Sequence, residues 1–301
     1  MKITITGSLG NISKPLALHL IKAGHSVTVI SSNPDKKAVI EALGARAAIG
    51  NIKDEQFLSS AFSGADAVYT MIPPNLQATD FLKYATSIAE QYANAIRKTG
   101  VKRIVNLSSI GADQDGGIGP IIGNRASESI LNRIEGAAIT HIRASFFYTN
   151  FYGNIEMIRN LGILGSNYSG SSRLIMVHPE DIAAAVAEEL QSAVNGIKIR
   201  YVASDDRNAQ EAATQLGTAV GIPGLPWVEF PDDQLKDALL KAGFTGEMAG
   251  LFVEMGQAVR SGKLWTDYDA HHNHPTGKIK LEDFAREFAS RYSGALAGAH
   301  A

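Results

Sequence analysis

Small residues near the start of the chain have the spacing of a diphosphate-binding turn. Gly7, Gly10 and Ser13 follow a β-branched run around Ile3 and Ile5, and an amphipathic helical pattern begins directly after the turn. Glycine lets the backbone approach a ligand closely, and the first amides of a helix attract phosphate. The pattern predicts a dinucleotide site, the alternative being a plain structural βα turn. The predicted loop residues are Gly7, Ser8, Leu9, Gly10, Asn11 and Ile12.

The end of the second predicted strand is where the adenosine ribose of a dinucleotide would lie. The strand end carries Ser31, Ser32 and Asn33, followed by Lys36 and Lys37, and it lacks the acidic residue that holds the ribose hydroxyls of NAD. Because hydroxyls and lysines can bind a 2′-phosphate, the sequence favours NADP over NAD. The same serines and asparagine also fit a cluster that caps a helix and forms a turn, which is compatible with either cofactor.

The chain lacks a common pair of proton-shuttling residues. In that pair a tyrosine precedes a lysine by four positions on one helix face, and the lysine lowers the pKa of the tyrosine. No tyrosine here is followed by lysine at that spacing, and residues 103–197 contain no lysine. Alcohol dehydrogenation and sugar-nucleotide epimerisation by this mechanism are therefore not expected.

Histidines near the end of the chain resemble a metal-binding tract. His271, His272 and His274 lie just before Pro275, without an adjacent cluster of carboxylates or any thiolate. A solvated turn explains them better than a metal site, so we predict no metal.

These candidate residues must be positioned by an alternation of strands and helices. Strands are predicted at Ser26–Ile30, Ala45–Ile49, Ala67–Ile72, Val101–Leu107 and Ala138–Arg143, with helical segments between them. The predicted helices include Glu55–Phe62, Pro179–Gln191 and Leu281–Tyr292. This order predicts βαβ units, right-handed crossovers and a doubly wound parallel sheet of the Rossmann type. A long helix is predicted at Leu76–Thr99, after Pro73 and Pro74 end the fourth strand.

The sequence changes character after residue 150. Helices separated by glycine and proline predict a smaller, α-rich lobe, built from 151–174 and 204–301, while 175–203 returns to the nucleotide-binding domain of 1–150. Gly162–Ser172 reads as a loop over the nicotinamide, and Trp265 as one of the aromatic residues that line an acceptor pocket.

Composition excludes several classes of protein. A formal net charge of -2 gives no basic excess for nucleic acid, and the absence of cysteine excludes disulfides and thiolate metal sites. No apolar run is long enough for a membrane helix, and Met1 leads directly into the first strand. These features predict a cytoplasmic protein.

Motifs spread over nearly the whole chain resemble one known group. Thr6-Gly-x-x-Gly10, Gly50-Asn51, Asn106-Leu-Ser-Ser109, Glu128 and Thr140-x-x-Arg143-x-x-Phe-x-x-Asn150 look like the NmrA-like, atypical short-chain dehydrogenases. That group includes NADPH:quinone oxidoreductases, triphenylmethane dye reductases and nitrogen-regulatory proteins. The resemblance implies a Rossmann fold that binds NAD(P).

The resemblance also implies particular contacts. The Gly7 loop would wrap the diphosphate and Ser32 would lie near the adenosine 2′ position, although NADP-binding relatives often carry arginine there. Asn51, where relatives often have aspartate, would flank the adenine with Ile52. The nicotinamide side is implied to include Met71, Ile72, Pro73, Ser108, Ser109, Phe146 and Phe147.

The resemblance to this group also bears on the catalytic residues and on the function. Quinone-reducing relatives carry a histidine and a lysine where Asn124 and Ser129 stand, so the resemblance does not identify the catalytic residues and leaves Asn124 and Ser129 as candidates. Glu128 is a third candidate, which either orients a neighbouring side chain or is simply solvated on its helix. Two functions are expected: NAD(P)H-dependent reduction of a quinone or similar small-molecule acceptor by hydride transfer, or NAD(P) sensing without turnover, which would involve a protein partner. A homodimer is compatible with either function.

Overall fold

The computed structural model describes residues 1–294, and a parallel sheet forms their centre. Its strands are apolar because both faces are covered by helices; Ala67–Thr70, for example, is buried at every position. Within the described residues the strands are β1 (Lys2–Ile5), β2 (Ser26–Ser31), β3 (Arg46–Ile49), β4 (Ala67–Thr70), β5 (Arg103–Ser109), β6 (Ala138–Ala144), β7 (Phe146–Phe147), β8 (Leu164–Ser166), β9 (Arg173–Val177), β10 (Ile197–Val202), β11 (Asp205–Asn208) and β12 (Trp227–Glu229).

Helices follow most of the strands. The bounds of three of them, α3, α7 and α12, agree with the sequence prediction. The helices are α1 (Ser13–Lys22), α2 (Lys36–Ala42), α3 (Glu55–Phe62), α4 (Phe81–Thr99), α5 (Ile121–Leu131), α6 (Ile155–Leu161), α7 (Pro179–Gln191), α8 (Ala209–Ala219), α9 (Asp232–Lys241), α10 (Gly246–Arg260), α11 (Thr266–Ala270) and α12 (Leu281–Tyr292).

The order of the strands creates a place for a ligand. The seven-stranded sheet runs β10-β6-β5-β4-β1-β2-β3, and every pairing in it is parallel. The chain therefore moves outward from β1 through β2 and β3, and then crosses back to β4 on the other side. At such a reversal the loops at the carboxyl ends diverge and leave a crevice. The predicted doubly wound Rossmann-like fold is confirmed.

Helix α1 is held firmly beneath this crevice. Leu16, Ala17 and Leu20 recur at helical spacing, and each side chain is fully buried against the sheet. Burial of each leucine contributes about 1.5–3 kcal/mol, so the first turn of α1 is fixed at the carboxyl end of β1.

Part of the fold lies beyond the central sheet and packs around aromatic side chains of α12. Phe284 and Phe288 are fully buried, and both pack against Tyr152 of the 3₁₀ helix Tyr148–Asn154, which follows β7. Because that segment continues from β6 and β7, α12 is placed beside the carboxyl edge of the central sheet. The division of the chain into a nucleotide-binding domain and a capping lobe stays a prediction.

The segment after Gly162 differs from the sequence prediction. The predicted loop Gly162–Ser172 contains a strand, β8, which pairs with β12. Directly after it, β9 lies between β7 and β11 in a three-stranded sheet. Gly162–Ser172 contributes no residue to the lining of the crevice. These strands have three and five residues. Runs so short form through partners distant in sequence, which local patterns do not reveal.

Two further expectations are corrected. Helix α4 begins at Phe81 and not at Leu76, because the Asp80 carboxylate accepts the Lys83 amide and caps the helix there. Glu128, which the motif comparison places ahead of a short helix, lies instead within α5 (Ile121–Leu131).

Within residues 1–294, no helix combines the length and apolar character required to cross a membrane.

Candidate functional site

A cleft of about 970 Å³ lies at the carboxyl ends of β1, β4 and β5. It extends along the strand reversal, so one end lies beside β2 and the other beside β6. Its lining consists of Gly7, Ser8, Leu9, Gly10, Asn11, Ile12, Ser13, Ile30, Ser31, Ser32, Ile52, Tyr69, Met71, Ile72, Pro73, Pro74, Phe81, Leu107, Ser108, Ser109, Pro120, Gly123, Asn124, Phe147, Thr149, Asn150, Tyr152 and Arg291.

The glycine turn leaves room for a diphosphate at the start of α1. Gly7 has φ +89° and Ser8 has φ +55°, both left-handed conformations. A Cβ on Gly7 would lie 2.5 Å from the Ser13 hydroxyl, which itself donates to the Thr6 carbonyl at 2.7 Å. The Lys14 amide donates to the Gly10 carbonyl at 3.0 Å and Pro15 has no amide proton, so in the first turn of α1 the Ser13 amide is the one left for an anion. The turn therefore fits the diphosphate of a dinucleotide.

The β2 end of the cleft has two neighbouring serines with different roles. Ser31 is buried, and its hydroxyl receives hydrogen bonds from the Ser8 hydroxyl at 2.9 Å and from the Asn33 amide at 3.2 Å. Ser32 is exposed and lines the cleft. No carboxylate belongs to the lining formed by the described residues, so nothing in it repels a 2′-phosphate.

The β6 end of the cleft contains Ser108, which is held from behind by an ion pair. The Ser108 hydroxyl donates to Glu128 at 2.6 Å, and Arg143 donates to both oxygens of that carboxylate at 3.0 and 2.8 Å. Burial alone would raise the pKa of Glu128, but the hydrogen bond from Arg143, the nearby positive charges and the Ser108 bond together lower it. Glu128 is therefore an ionised acceptor.

The direction of this bond limits what Ser108 can do. A hydroxyl has one proton, and that of Ser108 is directed to Glu128, so only oxygen lone pairs remain for the cleft. Ser108 can accept a hydrogen bond from a ligand amide, but it is not placed to give a proton to a substrate. The Arg143 guanidinium also donates to the Tyr201 hydroxyl at 3.0 Å and to Asp267 at 3.1 Å, which ties β6 to β10 and α11.

A chain of buried polar groups crosses the sheet behind the cleft. The Thr70 hydroxyl donates to the side-chain oxygen Oδ1 of Asn106 at 3.0 Å, and the side-chain Nδ2 of Asn106 lies 3.2 Å from His141 Nδ1. His141 Nε2 lies 2.8 Å from the side-chain oxygen Oδ1 of Asn132. These partners suit a neutral ring with its proton on Nε2. Burial lowers the pKa of His141 to about 4, despite the favourable charge of Glu128.

Of the three catalytic candidates, only Asn124 lines the cleft. Glu128 is buried behind Ser108, where it acts on the site through that hydroxyl. Ser129 is exposed and faces away from the lining, because it follows Glu128 directly on α5 and so points to a different side of the helix.

Several residues predicted to contact the cofactor or substrate do not line the cleft. Trp265 is 4% exposed in the aromatic core of the lobe, which corrects its assignment to an acceptor pocket. Phe146 packs against Phe151 in the same core, since alternate residues of β7 face opposite sides and Phe147 takes the cleft side. The side-chain oxygens of Asn33 and Asn51 accept backbone amides of Asp35 and Lys53 within their own turns.

The predicted histidine tract is exposed. His271 Nδ1 lies 2.9 Å from the Asp267 carbonyl oxygen, at the end of α11. In the described part of the chain, no group of three or more histidine and carboxylate side chains is arranged to hold a metal ion.

Sequence reasoning did not assign two side chains at the β6 end. Tyr152 and Arg291 both line the cleft, and the Arg291 guanidinium lies 4.4 Å from the centre of the Tyr152 ring. Arg291 is on the last turn of α12, far from every motif in the sequence. No local signal identifies it, because only the packing of α12 brings it to the cleft.

Residues 7–149 match the model of a family described as NAD(P)H-binding. This segment is therefore similar to NAD(P)H-binding proteins. The match begins at the glycine turn and covers β2 to β7, so it includes Ser31 and Ser32, Ser108 and Ser109, and all of α5. The resemblance to NAD(P)-binding proteins expected from the motifs is thus confirmed.

The chain is similar to known proteins over most of its length. An NAD(P)H azoreductase from Xenophilus azovorans is 23% identical over 255 residues, which cover 84% of this chain and 85% of that protein. An NADPH-dependent quinone oxidoreductase from Escherichia coli superposes with a TM-score of 0.76 at 21% identity, covering 95% of this chain and 98% of that one. Triphenylmethane reductase from Citrobacter sp., solved with NADP(H), has a TM-score of 0.79 at 20% identity, covering 95% and 99%. At these identities the two structures establish the fold alone.

Proposed function

We propose that this protein is an NAD(P)H-dependent reductase of the NmrA-like type, which transfers hydride to a quinone or a similar conjugated acceptor. The observation that carries the proposal is a single cleft with an anion-binding glycine turn at its centre and an apolar, aromatic end beside β6. The names of the azoreductase, quinone oxidoreductase and triphenylmethane reductase support it, since each reduces a conjugated molecule.

The cofactor would lie along the strand reversal. The Gly7–Ile12 loop and the open end of α1 would hold its diphosphate, and Ser31 and Ser32 would lie beside the adenosine ribose. Met71, Ile72 and Pro73 would line the nicotinamide ribose, while Ser108 and Phe147 would face the ring. The bound nicotinamide supplies a hydride; the protein supplies orientation and excludes water.

The side chains of the cleft explain why the acceptor should be conjugated. Reduction of an aldehyde or ketone to an alcohol needs a proton donor next to the carbonyl oxygen, but the Ser108 proton is directed to Glu128. A quinone spreads the charge it gains over its ring system and can take its protons from solvent. The amide of Asn124 can donate a hydrogen bond to an acceptor oxygen, which assists without proton transfer.

We further propose NADPH as the preferred cofactor. The supporting features are the exposed hydroxyl of Ser32 and the absence of a carboxylate from the cleft lining within residues 1–294. An acidic residue beside the ribose would repel the 2′-phosphate, and none of these lining residues does so.

A second candidate is an NAD(P)-sensing protein that binds the nucleotide without turnover. The observation that favours it is that the described residues place no histidine or lysine in the lining of the cleft to donate a proton. Asn124 stands where quinone-reducing relatives have a histidine. Such a protein would pass its signal to a protein partner.

The absorbance of the reduced nicotinamide separates the two candidates. Purified protein is mixed with NADPH and with a benzoquinone, a naphthoquinone, an azo dye and a triphenylmethane dye in turn, and NADPH binding is measured separately by calorimetry. We expect oxidation with at least one acceptor, and a lower kcat in Asn124→Leu than in Asn94→Leu, the matched variant outside the cleft. Tight NADPH binding without oxidation by any acceptor would favour the sensor and overturn the reductase.

A further inference from the structure

We propose that Arg291 and Tyr152 form an acceptor subsite that selects planar aromatic acceptors carrying a sulfonate or carboxylate group. This inference rests on the proposed function and names the substrate class of that cleft. It depends on three features of the β6 end of the cleft: the position of the pair, its charge and the rigidity of its support.

The pair lies where an acceptor would stand and not where the adenosine would. Tyr152 belongs to the 3₁₀ helix that continues from β6 and β7, and β6 is separated from β2 by β5, β4 and β1. Phe147, Thr149 and Asn150 line the cleft next to Tyr152. Ser31 and Ser32 are at the opposite end, so Arg291 is placed on the nicotinamide side.

Arg291 is the one charged side chain in the lining formed by residues 1–294. Within those residues, the other arginine of its helix, Arg286, is paired with Asp283, whereas the Arg291 guanidinium forms no salt bridge and lies over the Tyr152 ring. Glu287 is one turn earlier on α12, but its carboxylate lies 3.3 Å from His178 Nε2 and is not part of the lining. Arg291 therefore supplies the positive charge in the lining at the acceptor end.

The support under the guanidinium is well ordered by packing. Arg291 lies 4.4 Å from the centre of the Tyr152 ring, a cation–π contact. The Tyr152 ring is nearly parallel to that of Phe288, at an interplanar angle of 4° and a centroid distance of 6.0 Å. Phe288 is fully buried, so the platform is fixed to the core of the fold.

The chemistry of this pair defines the ligand. A guanidinium is a planar fork of N–H donors that binds a carboxylate or sulfonate through two hydrogen bonds, and its face also stacks on aromatic rings. Apolar side chains of Leu107, Phe81 and Phe147 surround the same end of the cleft and suit a flat ring system. An aromatic acceptor with an anionic substituent satisfies both parts, whereas a cationic dye is repelled.

The first test measures the turnover of a sulfonated and a neutral quinone by the wild type and by each variant. The measured quantity is the ratio of kcat/KM for 1,4-naphthoquinone-2-sulfonate to kcat/KM for 2-methyl-1,4-naphthoquinone. We expect this ratio to be about fivefold lower in Arg291→Gln than in the wild type, because a partly exposed ion pair contributes an effect of that size. The matched control Arg286→Gln removes a charge from the same helix outside the cleft, and it should not change the ratio. An equal loss with both quinones in Arg291→Gln would overturn the subsite.

A binding test makes failure of the subsite distinguishable from failure of the reductase. Naphthalene-2-sulfonate, which cannot be reduced by hydride, is titrated by calorimetry into the protein saturated with NADPH, beside the neutral naphthalene-2-sulfonamide. We expect the sulfonate to bind about fivefold more weakly to Arg291→Gln, and the affinity for the sulfonamide to change less. Added salt should weaken binding of the sulfonate only.

The combined outcomes are decisive for each claim. Arg291-dependent binding of the sulfonate in a protein that oxidises no NADPH would uphold the subsite and refute the reductase. A wild-type protein that does not bind the sulfonate, or binds it equally well in Arg291→Gln, would refute the subsite whatever the turnover.

Discussion

Ser31 and Ser32 are adjacent, yet the structure gives them opposite environments. Ser31 points inward from β2 and joins the Ser8 turn to Asn33, while Ser32 is exposed beside the cleft. The end of the strand accounts for the difference, because Ser31 is the last residue of the buried strand β2 and Ser32 begins the exposed turn after it. Of the two, Ser32 is the residue at which cofactor preference can be changed without disturbing the turn.

We expect Ser32→Arg to increase the preference for NADPH over NADH by about five- to tenfold. A guanidinium at this position can form charge-assisted hydrogen bonds with the 2′-phosphate, which NADH lacks. The dissociation constants of both reduced cofactors are measured by calorimetry. Ser60→Arg, which places the same charge on the exposed face of α3, is the control. An unchanged ratio in Ser32→Arg would show that Ser32 does not lie near the adenosine ribose.

At the scale of elements, β1, the glycine turn and α1 hold a fixed geometry because Gly7 and Ser13 are in close contact within the turn. The Ser13 hydroxyl occupies the space above Gly7 and bonds to the Thr6 carbonyl, so strand and helix are joined within the turn. A serine is small enough for this position, where dinucleotide-binding folds commonly have a third glycine.

This close contact predicts that Gly7→Ala binds NADPH more weakly than the wild type. The new Cβ would lie 2.5 Å from the Ser13 hydroxyl, so the turn must open and NADPH affinity should fall at least about tenfold. The control Gly24→Ala has a similar φ of +83° but open space, and should lose only about 1 kcal/mol of stability with no change in affinity.

A second substitution tests the cause of that loss. Ser13→Gly removes the clashing hydroxyl, so Gly7→Ala/Ser13→Gly should recover part of the affinity measured by NADPH titration. No recovery would mean that strain in the backbone, and not the contact with Ser13, is responsible.

At the scale of the whole molecule, the polar chain from Thr70 to Asn132 links folding to pH. His141 is fully buried at the centre of this chain and neutral down to a pKa of about 4. In the unfolded chain its pKa is the ordinary value of about 6.5. Between these values the unfolded state binds a proton that the folded state does not, so stability falls as the pH decreases.

We therefore expect the free energy of unfolding to fall by about 2 kcal/mol between pH 7 and pH 5, measured by urea denaturation. His141→Gln removes the titrating group and should flatten this dependence. Loss of Glu128 ionisation adds to the decrease only at lower pH, because its pKa lies below the usual range for a carboxyl. The same slope in His141→Gln and the wild type would contradict the assignment.

Local sequence patterns alone determined the repeating framework of this protein. The βα alternation, the glycine turn and the bounds of α3, α7 and α12 follow from short-range features, which are β-branched runs, turn residues, caps and helical periodicity. The same features predicted most of the cleft lining, because parallel strands bring their carboxyl ends to one edge wherever they occur in the chain.

The tertiary structure decided what depends on partners distant in sequence. It buried Trp265, made β8 and β9 into strands, and directed the Ser108 proton to Glu128. It also brought Arg291 from the last turn of α12 to a cleft built mostly by the first half of the chain. Packing against remote side chains sets each of these outcomes, and neither composition nor periodicity near the residue contains that information.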